Sequence, residues 1–146
     1  MVADPFVSVL GRLGPQFDPA VLEATIAHWK PRVALRQKQQ SPSIDDIEYG
    51  GHTRHRMDLF PVQGSGAPIV LFVHGGAWRM GDKRLRNTVD AGHTFAAQGV
   101  VFVGINYQLT PAVVHPAHVE DVARAIAWTN ARIASYGGDP KRLFLM

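Results

Sequence analysis

Cysteine is absent from the sequence. Without a thiol, these 146 residues cannot form a disulfide framework, a thiolate zinc site or an iron–sulfur cluster, and they cannot supply a cysteine nucleophile. The absence of cysteine also favours a reducing compartment, so we expect a cytoplasmic location.

Excess charge and long apolar runs are missing as well. The 15 Lys and Arg residues against 12 Asp and Glu residues leave a net charge of +3, too small to predict a nucleic-acid partner. The basic residues are scattered in small clusters, which are interpreted as solvated faces rather than phosphate-binding tracks: Arg32/Arg36/Lys38, Arg54/Arg56 and Lys83/Arg84/Arg86. No aromatic residues interleave with them to stack on bases. The longest aliphatic and aromatic run, Ile69–Val73, is too short to span a bilayer, and the first residues lack a signal-peptide pattern. We therefore expect a soluble, unprocessed protein without a membrane span.

The remaining composition is typical of a folded globular chain. Hydrophobic residues make up 46% of it. A polar stretch at 37–43 separates two patterns, so we place an N-terminal helical segment at residues 1–40 and a second region at residues 44–146. In the first segment, Asp18 and Pro19 predict the start of a helix. Its apolar positions recur at helical spacing: Val21, Leu22, Thr25, Ile26 and Trp29.

The second region contains five candidate strands. Ile44–Tyr49 and Arg56–Pro61 are short and extended in pattern, and they predict a hairpin at a sheet edge. The continuous apolar runs at 68–73 and 100–105 are typical of strands buried on both faces, as in a parallel sheet. The run at 142–146 predicts a further buried strand.

Helices are expected between these apolar strands. Asp82 can cap a helix that runs to about Gln98, and a second helix is expected from about Pro116 to Tyr136, followed by a turn at Asp139-Pro140. The second helix should bury one mainly apolar side, formed by Val119, Val122, Ala123, Ile126, Ala127, Asn130 and Ile133. Strands that alternate with helices predict an α/β fold with a mainly parallel sheet.

The sequence His74-Gly75-Gly76-Ala77-Trp78 lies directly after the first buried strand and before a helix. The carboxyl end of a central parallel strand opens into the crevice where α/β proteins bind ligands. Paired glycines allow backbone N–H groups to turn towards a substrate, and each donor to a developing oxyanion contributes roughly 3–4 kcal/mol. The motif therefore indicates an oxyanion-binding turn.

With this motif the sequence resembles the α/β-hydrolase superfamily, in particular its hormone-sensitive-lipase-like, small esterase and formamidase branches. The segment Asn106–Pro111 looks like the N/D-Y-R-L-A-P segment of that group, and Asp121 and Trp128 follow on the next helix. The resemblance extends over roughly 44–146. It implies a partial α/β-hydrolase fold with strand order 1-2-4-3-5, flanking helices and the N-terminal helical segment.

The resemblance also implies roles for individual residues. Gly75 and Gly76 would supply the oxyanion N–H groups, with Ala77 as a third candidate donor. His74 would brace the turn, Tyr107 would support it, and Trp78 would line the acyl or leaving-group pocket. The implied substrate is a small carboxylic ester or amide, and the implied chemistry needs no cofactor and no metal.

Three departures from the family pattern bear on the substrate and on the completeness of the catalytic residues. Gln108 replaces the usual Arg, and Ala77-Trp78 stands where the lipase-like branch carries a third glycine, so the choice between esterase and arylformamidase-like amide hydrolase stays open. The nucleophile motif G-x-S-x-G should follow the fifth strand, and no serine of this sequence has the required flanks. The serines are Ser8, Ser41, Ser43, Ser65 and Ser135. We expect the N-terminal portion of a serine hydrolase, truncated before its nucleophile and inactive alone.

Other interpretations of the same residues are weaker. The stretch Gly76–Lys83 resembles a phosphate-binding loop in the spacing of its glycines, but Asp82 stands at the position where such a loop has its lysine. The pairs His52/His55 and His115/His118 lack a further ligand for a metal, and we interpret them as surface or capping histidines. Asp121 precedes the missing nucleophile, so a structural hydrogen-bonding role is expected rather than catalysis.

Some questions remain open at the level of sequence. The segment 1–40 could be a helical cap over the active site, pack on the missing half of the domain, or contact a membrane surface. The chain could also be a non-catalytic binding or interaction module rather than part of an enzyme. An apolar fifth strand at a sheet edge predicts self-association of the isolated fragment.

Overall fold

The computed structural model describes residues 19–21, 23–25, 27–28, 31 and 42–146, except for the side chains of Arg86 and Asn87. The chain divides into two compact units, residues 1–39 and 40–146. In the first unit the described residues are helical, and the Thr25 hydroxyl donates a hydrogen bond of 2.7 Å to the carbonyl oxygen of Val21. The predicted helix start at Asp18 and the predicted apolar positions Leu22, Ile26 and Trp29 lie outside the described residues.

The second unit is a five-stranded mixed sheet with helices. In chain order its elements are β1 (Ile44–Glu48), β2 (Arg56–Phe60), β3 (Ala67–Val73), α1 (Arg86–Ala97), β4 (Val101–Ile105), α2 (Ala117–Arg132), a 3₁₀ helix (Ile133–Tyr136) and β5 (Gly138–Leu145). The strand order is β1-β2-β4-β3-β5, as the family resemblance implied. β3, β4 and β5 are parallel, whereas β2 is antiparallel to both β1 and β4. The predicted hairpin at the sheet edge is confirmed.

The core of the second unit is centred on β4. All five residues of this strand are buried, as its continuous apolar sequence predicts. In register, Val103 lies between Leu59 of β2 and Leu71 of β3, and all three side chains are fully buried. The carboxyl ends of β3 and β4 therefore lie side by side, and the segments that leave them meet.

Two predicted boundaries are wrong. α1 begins at Arg86 rather than at Asp82, because the Asp82 carboxylate binds the backbone N–H of Arg84 and the side-chain amide of Asn106 instead of capping a helix. Asp139-Pro140 is not a turn before the last strand. β5 already begins at Gly138, and a shift of register opposite Ala67 and Ile69 accommodates the irregular residues. The prediction that this strand is buried is also wrong, since Phe144 and Leu145 are 59% and 58% exposed at the edge of the sheet.

The predicted buried face of α2 is also wrong in part. Its buried residues are His118, Asp121, Ala125 and Thr129, while Val119 is 51% exposed. Compared with the prediction, the helix is rotated about its axis, because its polar side chains have hydrogen-bond partners inside the unit. His118 binds Thr110, and Asp121 binds Gln108 and His55. Among the described residues, no helix has both the length and the hydrophobicity needed to cross a membrane.

Candidate active site

The six predicted site residues lie in one region, at the carboxyl ends of β3 and β4. Residues 74–81, which we call the glycine turn, follow β3, and residues 106–110, which we call the support segment, follow β4. The two are joined directly, since the backbone N–H of Thr110 donates to the carbonyl oxygen of Trp78 at 2.8 Å.

The glycine turn has an unusual backbone. Gly76, Ala77 and Trp78 have φ angles of +127°, +53° and +61°. A Cβ atom at Gly76 would lie 2.0 Å from the carbonyl oxygen of Met80, so only glycine fits there. The left-handed conformation costs roughly 1–2 kcal/mol for a residue with a side chain. The sequence alone did not predict this conformation at Ala77 and Trp78.

The turn carries backbone donors that bind nothing. Within the described part of the chain, the N–H groups of Gly75, Gly76 and Ala77 make no hydrogen bond, whereas the carbonyl oxygen of Gly76 accepts from the N–H groups of Arg79 and Met80 at 3.0 and 3.2 Å. Gly75 and Ala77 are exposed. These donors are therefore available to an oxygen atom of a ligand.

His74 lies beneath this turn and is only 2% exposed. Its Nδ1 is 2.9 Å from the carbonyl oxygen of Gly75, so a proton on Nδ1 is donated to that carbonyl. Burial lowers the pKa of His74, and the imidazole is therefore neutral at pH 7.

Tyr107 connects the support segment to His74. Its ring stacks on the imidazole with centroids 4.4 Å apart, and its hydroxyl donates to the carbonyl oxygen of His74 at 2.7 Å. Burial raises the pKa of Tyr107, so the hydroxyl stays protonated at neutral pH and remains a donor.

Trp78 forms an aromatic surface at the edge of the site. Its side chain is 43% exposed. The indole contacts the ring of Tyr107 at 4.9 Å in an edge-on arrangement and the ring of His118 at 5.5 Å. His118 is held in turn by Thr110, whose hydroxyl lies 3.1 Å from Nε2 of His118.

The residues that directly follow the glycine turn are fixed by Asn106. Its Oδ1 accepts from the backbone N–H of Lys83 at 2.6 Å, and its Nδ2 donates to Asp82 at 2.7 Å. Burial alone would raise the pKa of Asp82, but the hydrogen bonds from the Arg84 N–H and from Asn106 outweigh it and hold this pKa below its ordinary value. Asp82 is therefore ionised at neutral pH and accepts both bonds.

Lys83 is buried, which corrects its interpretation as part of a solvated face. The side chain is 2% exposed, and its Nζ lies 2.6 Å from Asp58 and 2.8 Å from Asp46. Asp46 lies at an irregularity in β1 with φ +57°, and this places its carboxylate against Lys83. A buried ammonium needs such partners, because an unpaired buried charge is very costly. The long-range partners leave no signal in the local sequence.

Asp121 is the centre of a second buried polar group. It accepts hydrogen bonds from the backbone N–H of Gln108 at 3.0 Å, from Nε2 of His55 at 2.8 Å and from Arg124 at 2.9 Å. Burial would raise the pKa of Asp121, but the hydrogen bonds from Gln108 and His55 hold it below its ordinary value. The structural hydrogen-bonding expected of Asp121 is observed.

Of the histidines interpreted as surface or capping residues, two are not at the surface. His55 and His118 are each 5% exposed. Nδ1 of His55 accepts the backbone N–H of His52, so Nε2 carries the proton that is donated to Asp121. Both nitrogens are in use, and His55 has no free atom for acid–base chemistry. Among the described residues, no group of three His, Asp or Glu side chains could hold a metal ion.

The second unit has the α/β-hydrolase fold, and solved esterase structures share this fold. An esterase of Pyrobaculum calidifontis matches 97% of this chain and 47% of its own, with a TM-score of 0.63 at 22% identity. Esterase B of Lactobacillus rhamnosis, inhibited by a tributyrin phosphonate, matches 86% of this chain and 43% of its own, with a TM-score of 0.64 at 21% identity.

Residues 57–146 match the model of the BD-FAE family, and the chain belongs to that family. Esterase LipQ of Mycobacterium tuberculosis is 37% identical over 117 residues, which are 75% of this chain and 27% of LipQ. Carboxylesterase NlhH of the same species is 35% identical over 122 residues, which are 77% of this chain and 38% of NlhH. The chain thus spans well under half of the length of either curated relative.

Proposed function

We propose that this chain is the N-terminal part of a serine hydrolase that cleaves carboxylic esters. The observation that carries the proposal is the unbonded state of the Gly75 and Gly76 N–H groups at the carboxyl end of β3. An ester carbonyl oxygen that gains negative charge during attack would accept hydrogen bonds from both, with Ala77 as a third candidate donor. Membership of the BD-FAE family and the names of the esterase relatives support the same reaction.

We place the nucleophile in sequence that follows residue 146. In the α/β-hydrolase class the G-x-S-x-G turn comes after the strand that corresponds to β5, and the acid and the histidine come later in the chain. Acyl transfer needs all three groups. Residues 1–146 alone are therefore expected to be inactive, with 44–146 forming the first half of the catalytic domain and 1–40 a cap-like segment.

In the proposed reaction the serine oxygen bonds to the ester carbonyl carbon, and the histidine takes the serine proton. The carbonyl oxygen becomes an oxyanion that the Gly75 and Gly76 N–H groups stabilise. The bond to the alcohol oxygen then breaks, and the histidine returns the proton to the leaving alcohol. Water next attacks the acyl-enzyme by the same steps, which releases the carboxylic acid product and restores the serine. His74 and Tyr107 would hold the turn, and the exposed indole of Trp78 would contact the acyl or alcohol group.

The proposal is tested on a product extended beyond Met146. The extended protein is treated with a fluorophosphonate probe and assayed with p-nitrophenyl esters and with an N-formyl aryl amide. We expect one labelled serine, within G-x-S-x-G, and ester turnover that is lost when this serine is changed to alanine. If the protein hydrolyses the amide but not the esters, the proposed function changes from ester hydrolysis to a formamidase reaction. A stop codon directly after Met146, with no labelling, would favour a non-catalytic binding module.

We also propose that residues 1–146 in isolation self-associate through β5. This strand pairs only with β3 in the described part of the chain, and its apolar residues Phe144 and Leu145 are 59% and 58% exposed. An exposed apolar edge strand is a template for pairing with another copy. Analytical ultracentrifugation at micromolar concentration should detect oligomers, which Phe144→Asp should weaken. A sharp monomer boundary for the unmodified fragment would contradict the proposal.

A further inference from the structure

Arg54 lies behind the glycine turn and has no part in the chemistry proposed above. It belongs to the connection between β1 and β2, and its side chain is half-buried. Its Nε donates to the carbonyl oxygen of Tyr107 at 2.7 Å, and its Nη2 donates to the carbonyl oxygen of Gly81 at 3.0 Å. One guanidinium therefore joins the support segment to the end of the glycine turn.

Both residues that Arg54 holds are in contact with His74. A methyl group at Gly81 would lie 2.3 Å from Nδ1 of His74 and 2.6 Å from the carbonyl oxygen of Gly75, so no space separates these groups. On its other side, His74 stacks on Tyr107 and accepts the Tyr107 hydroxyl at its carbonyl oxygen. The peptide that leads into Gly75 and Gly76 is thus held between the two residues bound by Arg54.

The glycine turn needs such external contacts. In the described part of the chain, its internal backbone hydrogen bonds converge on the carbonyl oxygen of Gly76, and the N–H groups of Gly75 and Gly76 bind nothing. Donors that stabilise an oxyanion must be oriented before the reaction begins. Their orientation in this turn depends on the groups that press on His74 and Gly75.

We propose that Arg54 is a positioning residue for ester hydrolysis, which orients the Gly75 and Gly76 N–H groups by joining the carbonyl groups of Gly81 and Tyr107. The inference rests on the proposed function. The planar guanidinium presents its donors in a fixed fork, and lysine, with a single nitrogen on a flexible stem, cannot replace both bonds with the same geometry. Burial, with a smaller contribution from the Arg54 charge, lowers the pKa of His74, which keeps the imidazole between these residues neutral.

The test uses the extended, catalytically complete protein with Arg54→Met, Arg54→Lys and the control Arg56→Met. Arg56 lies two residues away and pairs with the exposed Glu48 at 2.8 Å. Misplacement of reacting groups by about 1 Å costs roughly 100-fold in rate. We expect kcat for a p-nitrophenyl ester to fall about 10- to 100-fold in Arg54→Met and several-fold in Arg54→Lys, with KM nearly unchanged. Arg56→Met should keep the wild-type kcat.

Melting temperatures of all three variants separate positioning from general destabilisation. A folded Arg54→Lys protein with wild-type kcat would overturn the proposal, as would a change confined to KM, and either result would leave ester hydrolysis itself intact. Arg54→Lys decides the matter if Arg54→Met does not fold. Failure of the wild-type protein to hydrolyse esters and to react with a fluorophosphonate would overturn the proposed function and this inference together.

Discussion

The glycine turn and the support segment leave neighbouring parallel strands, yet they use their polar groups in opposite ways. In the glycine turn, the N–H groups of Gly75 and Gly76 bind nothing in the described part of the chain. In the support segment, the side chains of Asn106 and Tyr107 and the backbone N–H of Thr110 all bind the neighbouring turn or the residues that follow it. The unbonded N–H groups of Gly75 and Gly76 are thus held in place by the support segment, whose own polar groups are hydrogen-bonded.

Conformational strain is distributed in the same unequal way. Ala77 and Trp78 in the glycine turn are left-handed, while no residue of the support segment has a positive φ. Each strained residue costs roughly 1–2 kcal/mol, and a typical hydrogen bond contributes about 1 kcal/mol. The bonds from Asn106, Tyr107 and Thr110 are therefore of the size needed to offset the strain. The comparison shows that the hydrogen bonds of the support segment stabilise the strained glycine turn, whose N–H groups stay available to a ligand.

Gly76→Ala should break the glycine turn and have the largest effect. The new methyl group would meet the Met80 carbonyl oxygen at 2.0 Å, at a φ of +127°. In the extended protein we expect ester turnover to fall about 10²- to 10³-fold, the effect of losing one oxyanion donor. Gly137→Ala is the matched control, because its φ is +89° and its Cβ would lie 2.5 Å from the Val62 carbonyl oxygen, at the other end of β3. Gly137→Ala should lower stability but leave ester turnover per folded molecule unchanged. A folded Gly76→Ala protein with ester turnover within tenfold of wild type would refute the expectation.

Tyr107→Phe weakens the support segment without changing its shape. The carbonyl oxygen of His74 loses its hydrogen bond from the Tyr107 hydroxyl in a buried setting. We expect the free energy of unfolding, measured with urea, to fall by about 1–2 kcal/mol, and turnover of the extended protein to fall by up to about tenfold. Tyr136→Phe, in which the hydroxyl has no hydrogen bond among the described residues, should change stability by less than about 0.5 kcal/mol. Equal effects of the two changes would argue against support through this bond.

Asp121 makes the stability of the support segment depend on pH. Its pKa in the folded state lies below the ordinary value of 3.8, so the unfolded chain takes up the proton first on acidification. The stabilisation is present above that ordinary value and is lost as the pH falls through the folded pKa. Urea unfolding between about pH 5 and pH 3 should show a decline that is shallower in Asp121→Asn. Asp45→Asn controls for the loss of one negative charge, and an unchanged slope in Asp121→Asn would contradict the assignment.

Ala77→Gly tests the strain in the glycine turn, because it should slightly stabilise the protein, whereas the preceding variants destabilise it. Relief of the left-handed strain at φ +53° exceeds the entropic cost of glycine by a little, so we expect a gain of about 0.5 kcal/mol in unfolding free energy. Ala123→Gly makes the same chemical change in α2, where the residue is exposed and helical, and should lose about 1 kcal/mol. Similar losses in both variants would show that the turn is not strained at Ala77.

Features with a local cause could be predicted from the sequence. The continuous apolar runs predicted the positions of β3 and β4 correctly. Burial at every position holds for β4 alone, because in β3 only Ile69 and Leu71 are buried and the other residues are partly buried. The position of the glycine turn followed from its place between β3 and the next helix. The order of the strands came from the family resemblance, since local patterns carry no information on which strands become neighbours.

Features with a distant cause could not be predicted. Arg54 and Lys83 are basic residues in polar surroundings in the sequence, and both turn inward because their acceptors come from other elements. His55 is buried for the same reason, by Asp121 on α2. Left-handed backbone at Ala77 and Trp78 also has no local signal, because neither residue type favours it.

The place of β4 in the sheet has a consequence for how the chain assembles. β4 separates β2 from β3, although it follows both in the sequence. During synthesis or refolding, the hairpin and β3 share no ladder until residues 101–105 insert between them. This step is non-local, and before it both flanking strands expose unpaired backbone to other chains. Val101–Ile105 is therefore the segment whose insertion joins two separate pieces into one sheet.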